Sequence, residues 1–194
     1  MVEVVRRQLN VLRDAKVLYV SEHTNWGLLG YQTVLSFAAR AEPIFWASGD
    51  PVPCQVEHWA GDWIISFKSD LILPAPLLGR ARFGAINFHP GPPKYRGVGG
   101  YYWALKNGDS EYGVTCHAMT GRIDHGSIFE FEPFVILGGE SVSGLRFRTA
   151  INLLAQLERV LSRVAVGEVL TPTGIQWSPH LYTYRELREA QHGQ

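Results

Sequence analysis

Residues 84–128 read GAINFHPGPPKYRGVGGYYWALKNGDSEYGVTCHAMTGRIDHGSI, and this stretch decides what the rest of the chain is built to support. It opens as a strand over 84–88, in which side chains alternate between faces, so Asn87 and His89 point the same way. Pro90, Pro92 and Pro93 then exclude regular structure and stiffen the exit from that strand. An aromatic helical segment at 101–105 follows, closed by Asn107 and Gly108, which tolerate the left-handed conformation. After a strand over 113–119 comes a turn-like Gly121-Arg122-Ile123-Asp124-His125-Gly126. Asp124 there is placed to fold back toward His89, which would gather an amide, an imidazole and a carboxylate.

Working outward from this stretch, the chain reads as βα units. Residues 16–20 form a short buried strand and 28–39 a helix; 43–47 is a second strand, followed by a turn at 50–53. Residues 62–67 are a third strand, apolar throughout as in a strand covered on both faces, and Pro74 starts a helix running to 78. If the strands at 62–67 and 84–88 are parallel neighbours, residues 68–73 emerge beside the end carrying Asn87 and His89. The join at 21–27 lacks G-x-G-x-x-G and Walker A patterns, which argues against a dinucleotide or ATP phosphate site. Downstream, 127–135 is a strand antiparallel to 113–119, and 141–166 is a long amphipathic helix with apolar residues every three or four positions. From Thr171 onward the chain, including the charged segment 184–189, reads as an extended tail packed on the body. Residues 1–14 have a helical rhythm that suits either a helix packed on the domain or a protomer contact in a homodimer. The expectation is one α/β domain over 1–194, a Rossmann-like, mostly parallel central sheet with flanking helices and a C-terminal tail at 171–194.

Bulk properties narrow the partners. Lys plus Arg equals Asp plus Glu at 18 each, so no net field exists to hold a polyanion, and nucleic acid is excluded as a charge-driven partner in favour of a small molecule. Cys54 and Cys116 are far apart and form no CxxC, and the N-terminus has no leader pattern, so a reducing cytoplasm is expected. No apolar run approaches the ~20 residues that cross a bilayer, so no membrane partner is expected. His89, His117 and His125 lack metal-ligand spacing, and no metal is expected. Cys116 reads as a small core residue, and Trp103 with its tyrosine neighbours as core rather than a stacking platform.

Asn-x-His-Pro, a Tyr-Arg-Gly loop, a Trp-Ala-Leu helix, a Gly-Val-Thr strand and Asp-x-Gly-x-Ile, together with Asp62-Trp63-Ile64-Ile65-Ser66-Phe67 and Ile72-Leu73-Pro74, resemble the folate-dependent formyltransferase family. The resemblance covers the middle third to half of the chain. It implies the formyltransferase fold, 10-formyltetrahydrofolate as co-substrate, and a pterin pocket bordered by Phe67, Lys68, Asp70, Leu71, Ile72, Gly121 and Ile123. One departure is the loop after His-Pro, where Gly91-Pro92-Pro93 makes it a residue shorter on the acceptor side.

Formyl transfer to an amine passes through a tetrahedral oxyanion, which needs hydrogen-bond donors and a route for the amine proton. Asn87 supplies an amide donor. His89 donates when protonated, a state that Asp124 would favour by raising its pKa, and Asp124 orients His89 and relays the proton. Singly, each is an ordinary strand-end or turn residue; their shared face and the family pattern make them the candidate catalytic trio. Lys94, Tyr95 and Arg96 are candidates to grip a phosphate or carboxylate of the acceptor. The acceptor is expected to be a primary amine on a small molecule, a nucleotide-linked amino sugar first, a hydroxyornithine-like or peptide-synthetase substrate otherwise. The rival functions are a formyltetrahydrofolate hydrolase, in which the same trio directs water, and a folate-binding homologue without turnover.

Overall fold

A computed structural model of the protein describes residues 11–192. In chain order the elements are β1 Lys16–Glu22, α1 Asn25–Phe37, β2 Arg40–Trp46, α2 Gln55–His58, β3 Gly61–Phe67, α3 Ala75–Leu78, β4 Ala81–His89, β5 Arg96–Gly97, α4 Gly100–Lys106, β6 Glu111–Ala118, β7 Ile128–Val135, α5 Val142–Ala165, β8 Leu181–Tyr182 and α6 Tyr184–His192. Six strands form a mixed sheet in the order β2-β1-β3-β4-β6-β7. The first four are parallel to one another, and β6 and β7 run antiparallel. The expected strands and the long helix are all present within a few residues of their predicted bounds. The helical rhythm expected at 1–14 falls mostly outside the described residues.

Burial follows composition. Val17–Val20 in β1 and Ile64–Phe67 in β3 are buried on both faces, as suits central parallel strands. One face is covered by α1 and α5, whose Val34, Leu153, Leu157, Val160 and Leu161 pack on Val17, Tyr19, Ile65 and Phe88. Both helices start on a side-chain cap: Thr24 Oγ1 accepts from Gly27 N at 3.3 Å, and Ser141 Oγ from Gly144 N at 3.1 Å. The other face is covered by Val56, Trp59, Leu71, Leu73 and Leu77 from α2, α3 and the loop after β3.

The C-terminal segment departs from expectation. It is not an extended tail throughout: β8 pairs in parallel with β5, and α6 follows. Its helix begins on a capping box, with Glu186 Oε2 accepting from Thr183 N at 2.7 Å and Thr183 Oγ1 accepting from Glu186 N at 3.3 Å. Thr183-x-x-Glu186 is a helix-start signal embedded in a run of charged residues. Tyr102 Oη donates to Ala190 O at 2.7 Å and Tyr184 Oη to Asp70 Oδ2, which ties α6 across the carboxyl ends of the strands.

Candidate active site

The site is assembled where β4 and β6 pair. Asn87 and His89 end β4, and antiparallel register sets Asn87 opposite His117 and His89 opposite Thr115. Residues directly opposite share a face, so His117 joins the patch that Asn87 and His89 already share. Asp124 enters from the β6–β7 turn in a left-handed conformation, φ 39°. Lys68, which follows β3, is the other non-glycine residue with positive φ among those described, φ 48°. Such backbone costs about 1–3 kcal/mol and persists where surroundings over-determine it. At Asp124 those surroundings are visible: Gly97 N donates to Oδ2 at 2.9 Å, and Arg96 donates to Ile123 O at 3.2 and 2.9 Å.

The carboxylate then sits between two imidazoles. His89 Nδ1 lies 3.4 Å from Asp124 Oδ2, and His117 Nε2 lies 3.4 Å from Asp124 Oδ1. All three are buried, at 6%, 3% and 8% exposure for His89, His117 and Asp124. His89 Nε2 donates to the Tyr95 carbonyl at 3.2 Å, so Nδ1 is the nitrogen left to gain or lose a proton. His117 Nδ1 donates to the Ala118 carbonyl at 2.8 Å, so in the neutral ring Nε2 accepts from Asn87 Nδ2 at 3.0 Å. Asn87 Oδ1 is enclosed with no partner.

Burial pushes His89 below its ordinary pKa; the Asp124 charge opposes this and the neighbouring His117 adds to it. Asp124 thus raises the His89 pKa as expected, but the loss of hydration outweighs the ion pair and leaves the net shift downward. For Asp124 burial works upward, but the His89 charge, the His117 hydrogen bond and Gly97 N outweigh it and hold the carboxyl well below the usual range. Asp124 is held as a carboxylate, and burial favours the neutral, proton-accepting form of the ring beside it.

Trp177 packs against both histidines. Its ring meets His117 edge-on at 4.9 Å and His89 at 5.7 Å, and its Nε1–H donates to Gly126 O at 2.8 Å. In front opens a cavity of about 560 Å³, lined by Asn87, His89, His117 and Asp124 and walled by Lys68, Asp70, Leu71, Ile72 and Ile123. Tyr184, Leu187 and Gln191 of α6 complete its rim.

The predicted residues thus divide. Asn87, His89 and Asp124 converge, and Lys68, Asp70, Leu71, Ile72 and Ile123 line the cavity. Phe67 does not: it is fully buried in the core under α1. Gly121 is exposed and lies outside the lining. Lys94, Tyr95 and Arg96, expected to grip the acceptor, face away from the cavity because internal partners claim them. Lys94 Nζ donates to both Asp109 oxygens at 2.7 and 2.8 Å, and Tyr95 Oη donates to Asp109 Oδ2 at 2.6 Å. Arg96 holds the Asp124 turn. Four further contributors join them. His117, whose spacing suits no metal, is marked by strand alternation next to β4. Trp177, Arg146 and α6 reach the site only through folding. No described group of His, Cys, Asp and Glu has the geometry to hold a metal ion, and no described helix is long and apolar enough to cross a membrane.

The chain is similar to proteins already known. The chain is 31% identical over 127 residues to GDP-perosamine N-formyltransferase from Brucella melitensis, covering 65% of this chain and 48% of that protein. The chain therefore matches about half the length of this relative. Two solved structures share the fold. One is an N-formyltransferase from Helicobacter canadensis with folinic acid and dTDP-3-aminofucose, at 17% identity, TM-score 0.68, 89% of this chain and 72% of that one. The other is the formyltransferase PseJ from Anoxybacillus kamchatkensis with UDP-4,6-dideoxy-4-formamido-L-AltNAc and tetrahydrofolate, at 18% identity, TM-score 0.68, 91% of this chain and 90% of that one. Residues 51–160, more than half of the sequence, match the Formyl transferase family, and this protein belongs to it.

Proposed function

We propose that the protein is an N-formyltransferase that moves the formyl group of 10-formyltetrahydrofolate to a primary amine of a small molecule, and that the amine is carried by a nucleotide-linked sugar. The observation that carries this is the Asn87, His117, Asp124 and His89 cluster at one wall of the cavity. The residues present fit a folate. The cavity is within the about 300–1,000 Å³ range of small-molecule sites. Leu71 and Ile72 give it an apolar wall, and the enclosed Asn87 Oδ1 shows an amide whose hydrogen bonding the protein leaves incomplete. The sugar acceptor is supported by the relative's name and by the nucleotide sugars bound in the two similar structures.

When bound, 10-formyltetrahydrofolate supplies an activated formyl carbon. Asn87 donates from its amide to the formyl oxygen, where negative charge grows as the amine attacks. The His89–Asp124 pair, with Nδ1 3.4 Å from the carboxylate, takes the proton the amine sheds and returns it toward the departing nitrogen. Asp124 stabilises the ring while it is charged, and Trp177 keeps water from its far side. Lys68, Asp70, Leu71, Ile72 and Ile123 hold the folate.

The test incubates the protein with 10-formyltetrahydrofolate and a panel of nucleotide-linked amino sugars and simpler amines, following tetrahydrofolate and formylated product. Product only with an amine present is the expected result. Formate release at the same rate without amine would sink the transferase assignment in favour of hydrolysis.

A further inference from the structure

Asn87 has to present a hydrogen to the formyl oxygen, yet an amide has two unlike ends. Nδ2 carries two N–H donors, while Oδ1 carries lone pairs alone. The two ends are so alike in size and shape that sterics do not choose between them. A half-turn of the amide would set its oxygen against the developing negative charge, replacing a stabilising contact by a repulsive one. A polar neighbour has to make the choice.

His117 is that neighbour. Its Nε2 lies 3.0 Å from Asn87 Nδ2, across the antiparallel register that sets the two residues opposite one another. The ring is itself fixed: Nδ1 donates to the Ala118 carbonyl at 2.8 Å, so the neutral ring carries its hydrogen there and Nε2 keeps a lone pair. A lone pair in that place accepts from Nδ2 and repels Oδ1. The other end of the amide has no preference of its own, because Oδ1 is enclosed and has no hydrogen-bond partner among the described residues. Reversing the amide would break the bond between Nδ2 and Nε2 and set two acceptors against each other. Trp177 meets the imidazole edge-on at 4.9 Å, and His117 is 3% exposed, which leaves little room for water to take over the contact.

We infer that His117 is the positioning residue for Asn87: its unprotonated Nε2 takes one N–H of the amide and so leaves the second N–H, rather than the carbonyl oxygen, for the formyl oxygen. The inference rests on the formyl-transfer function above. His117 touches none of the reacting atoms, and its part in the reaction is carried through Asn87.

Two measurements test this. The first needs no turnover. Long-range 1H–15N spectra of the whole labelled chain at neutral pH should show His117 with its hydrogen on Nδ1, and Asn87→Ala should move the Nε2 resonance toward that of an unprotonated nitrogen without a donor. A hydrogen found on Nε2, free to go to Asp124 Oδ1 at 3.4 Å instead, or an Nε2 resonance indifferent to Asn87→Ala, overturns the role.

The second is a double-substitution cycle on kcat with 10-formyltetrahydrofolate and the fastest-reacting of the panel amines, over Asn87→Ala, His117→Phe, His117→Gln and the double variant Asn87→Ala/His117→Phe. Phenylalanine keeps a flat ring against Trp177 and removes the acceptor, while glutamine restores an oxygen that accepts. Folinic acid binding within about twofold of the unmodified protein shows that each variant is folded. His117→Phe should lower kcat about tenfold or more, and His117→Gln should recover most of that loss. In the Asn87→Ala background, His117→Phe should change kcat by less than about twofold. A loss that persists in full in that background, or a glutamine no better than phenylalanine, overturns the role. Absence of product with every amine would instead remove the formyl-transfer function, and the spectra would still decide whether His117 holds the amide.

Discussion

His89 Nδ1 stands 3.4 Å from Asp124 Oδ2, yet burial keeps the imidazole below its ordinary pKa of 6.5. The neutral ring is the form that accepts a proton, so activity should persist into mildly acidic solution and fall only below 6.5. Asp124 is the main group raising that pKa, so Asp124→Asn should move the acid limb to still lower pH while cutting the maximal rate by about two orders of magnitude or more. A pH–rate profile of both proteins checks this. An acid limb that moves upward in the variant would refute the assignment of His89 as the base.

Stability should follow the same groups. Asp124 has a folded pKa below its unfolded 3.8, so its contribution is present above 3.8 and is lost as pH falls through the folded value. His89 is likewise depressed from 6.5, so the unfolded chain takes up its proton first and stability declines as pH drops from 6.5 through the folded value. Both act in one direction. Urea midpoints should decrease on acidification from neutral pH, in a stage below 6.5 and another below 3.8, and Asp124→Asn should abolish the second contribution.

Asn87→Ala removes the amide offered to the developing oxyanion. By analogy with single oxyanion donors elsewhere, kcat should fall about 10²- to 10³-fold. Folinic acid affinity, measured by calorimetry, should change far less, since the wall of Leu71, Ile72 and Ile123 is untouched. Equal losses in both would reassign Asn87 to ground-state binding.

Trp177 packs against both histidines and is not among the residues that line the cavity. Asp124, His117 and Lys68 are the charged or titratable groups that act on His89, and none is altered by Trp177→Ala. Water admitted by that truncation should let the His89 pKa rise toward 6.5, visible in imidazole NMR titrations without any substrate. Trp177→Phe should shift it less. No change in either titration would reduce Trp177 to a packing role.

Gly126 lies so close to the turn's partner strand that an added Cβ would come within 1.9 Å of the Ala118 carbonyl oxygen. Backbone must move, and the carbonyl that moves is the one His117 Nδ1 bonds. Gly126→Ala should cost about 1–3 kcal/mol of stability and displace Asp124 relative to both rings. Differential scanning calorimetry should register a melting temperature lower by about 2–4 °C for each kcal/mol lost, with a further rate loss at temperatures where the variant is folded.

Residues near one another in sequence reported reliably on local structure. Alternation over 84–88 put Asn87 and His89 on one face, the 3.6-residue period of α5 announced its buried stripe, and Gly and Asp marked the turn that presents Asp124. These readings succeed because covalent geometry dictates which side chains of a strand or helix share a side. The tertiary structure alone decided what crosses between elements. Register between β4 and β6 brought His117 opposite Asn87, and the return of the C-terminal chain set Trp177 against both imidazoles and α6 over the cavity rim. It also decided that Lys94 and Tyr95 answer Asp109 rather than a ligand, and that burial outweighs the Asp124 charge at His89. Such outcomes depend on distances and hydration set by segments far apart in the chain, which no local pattern encodes.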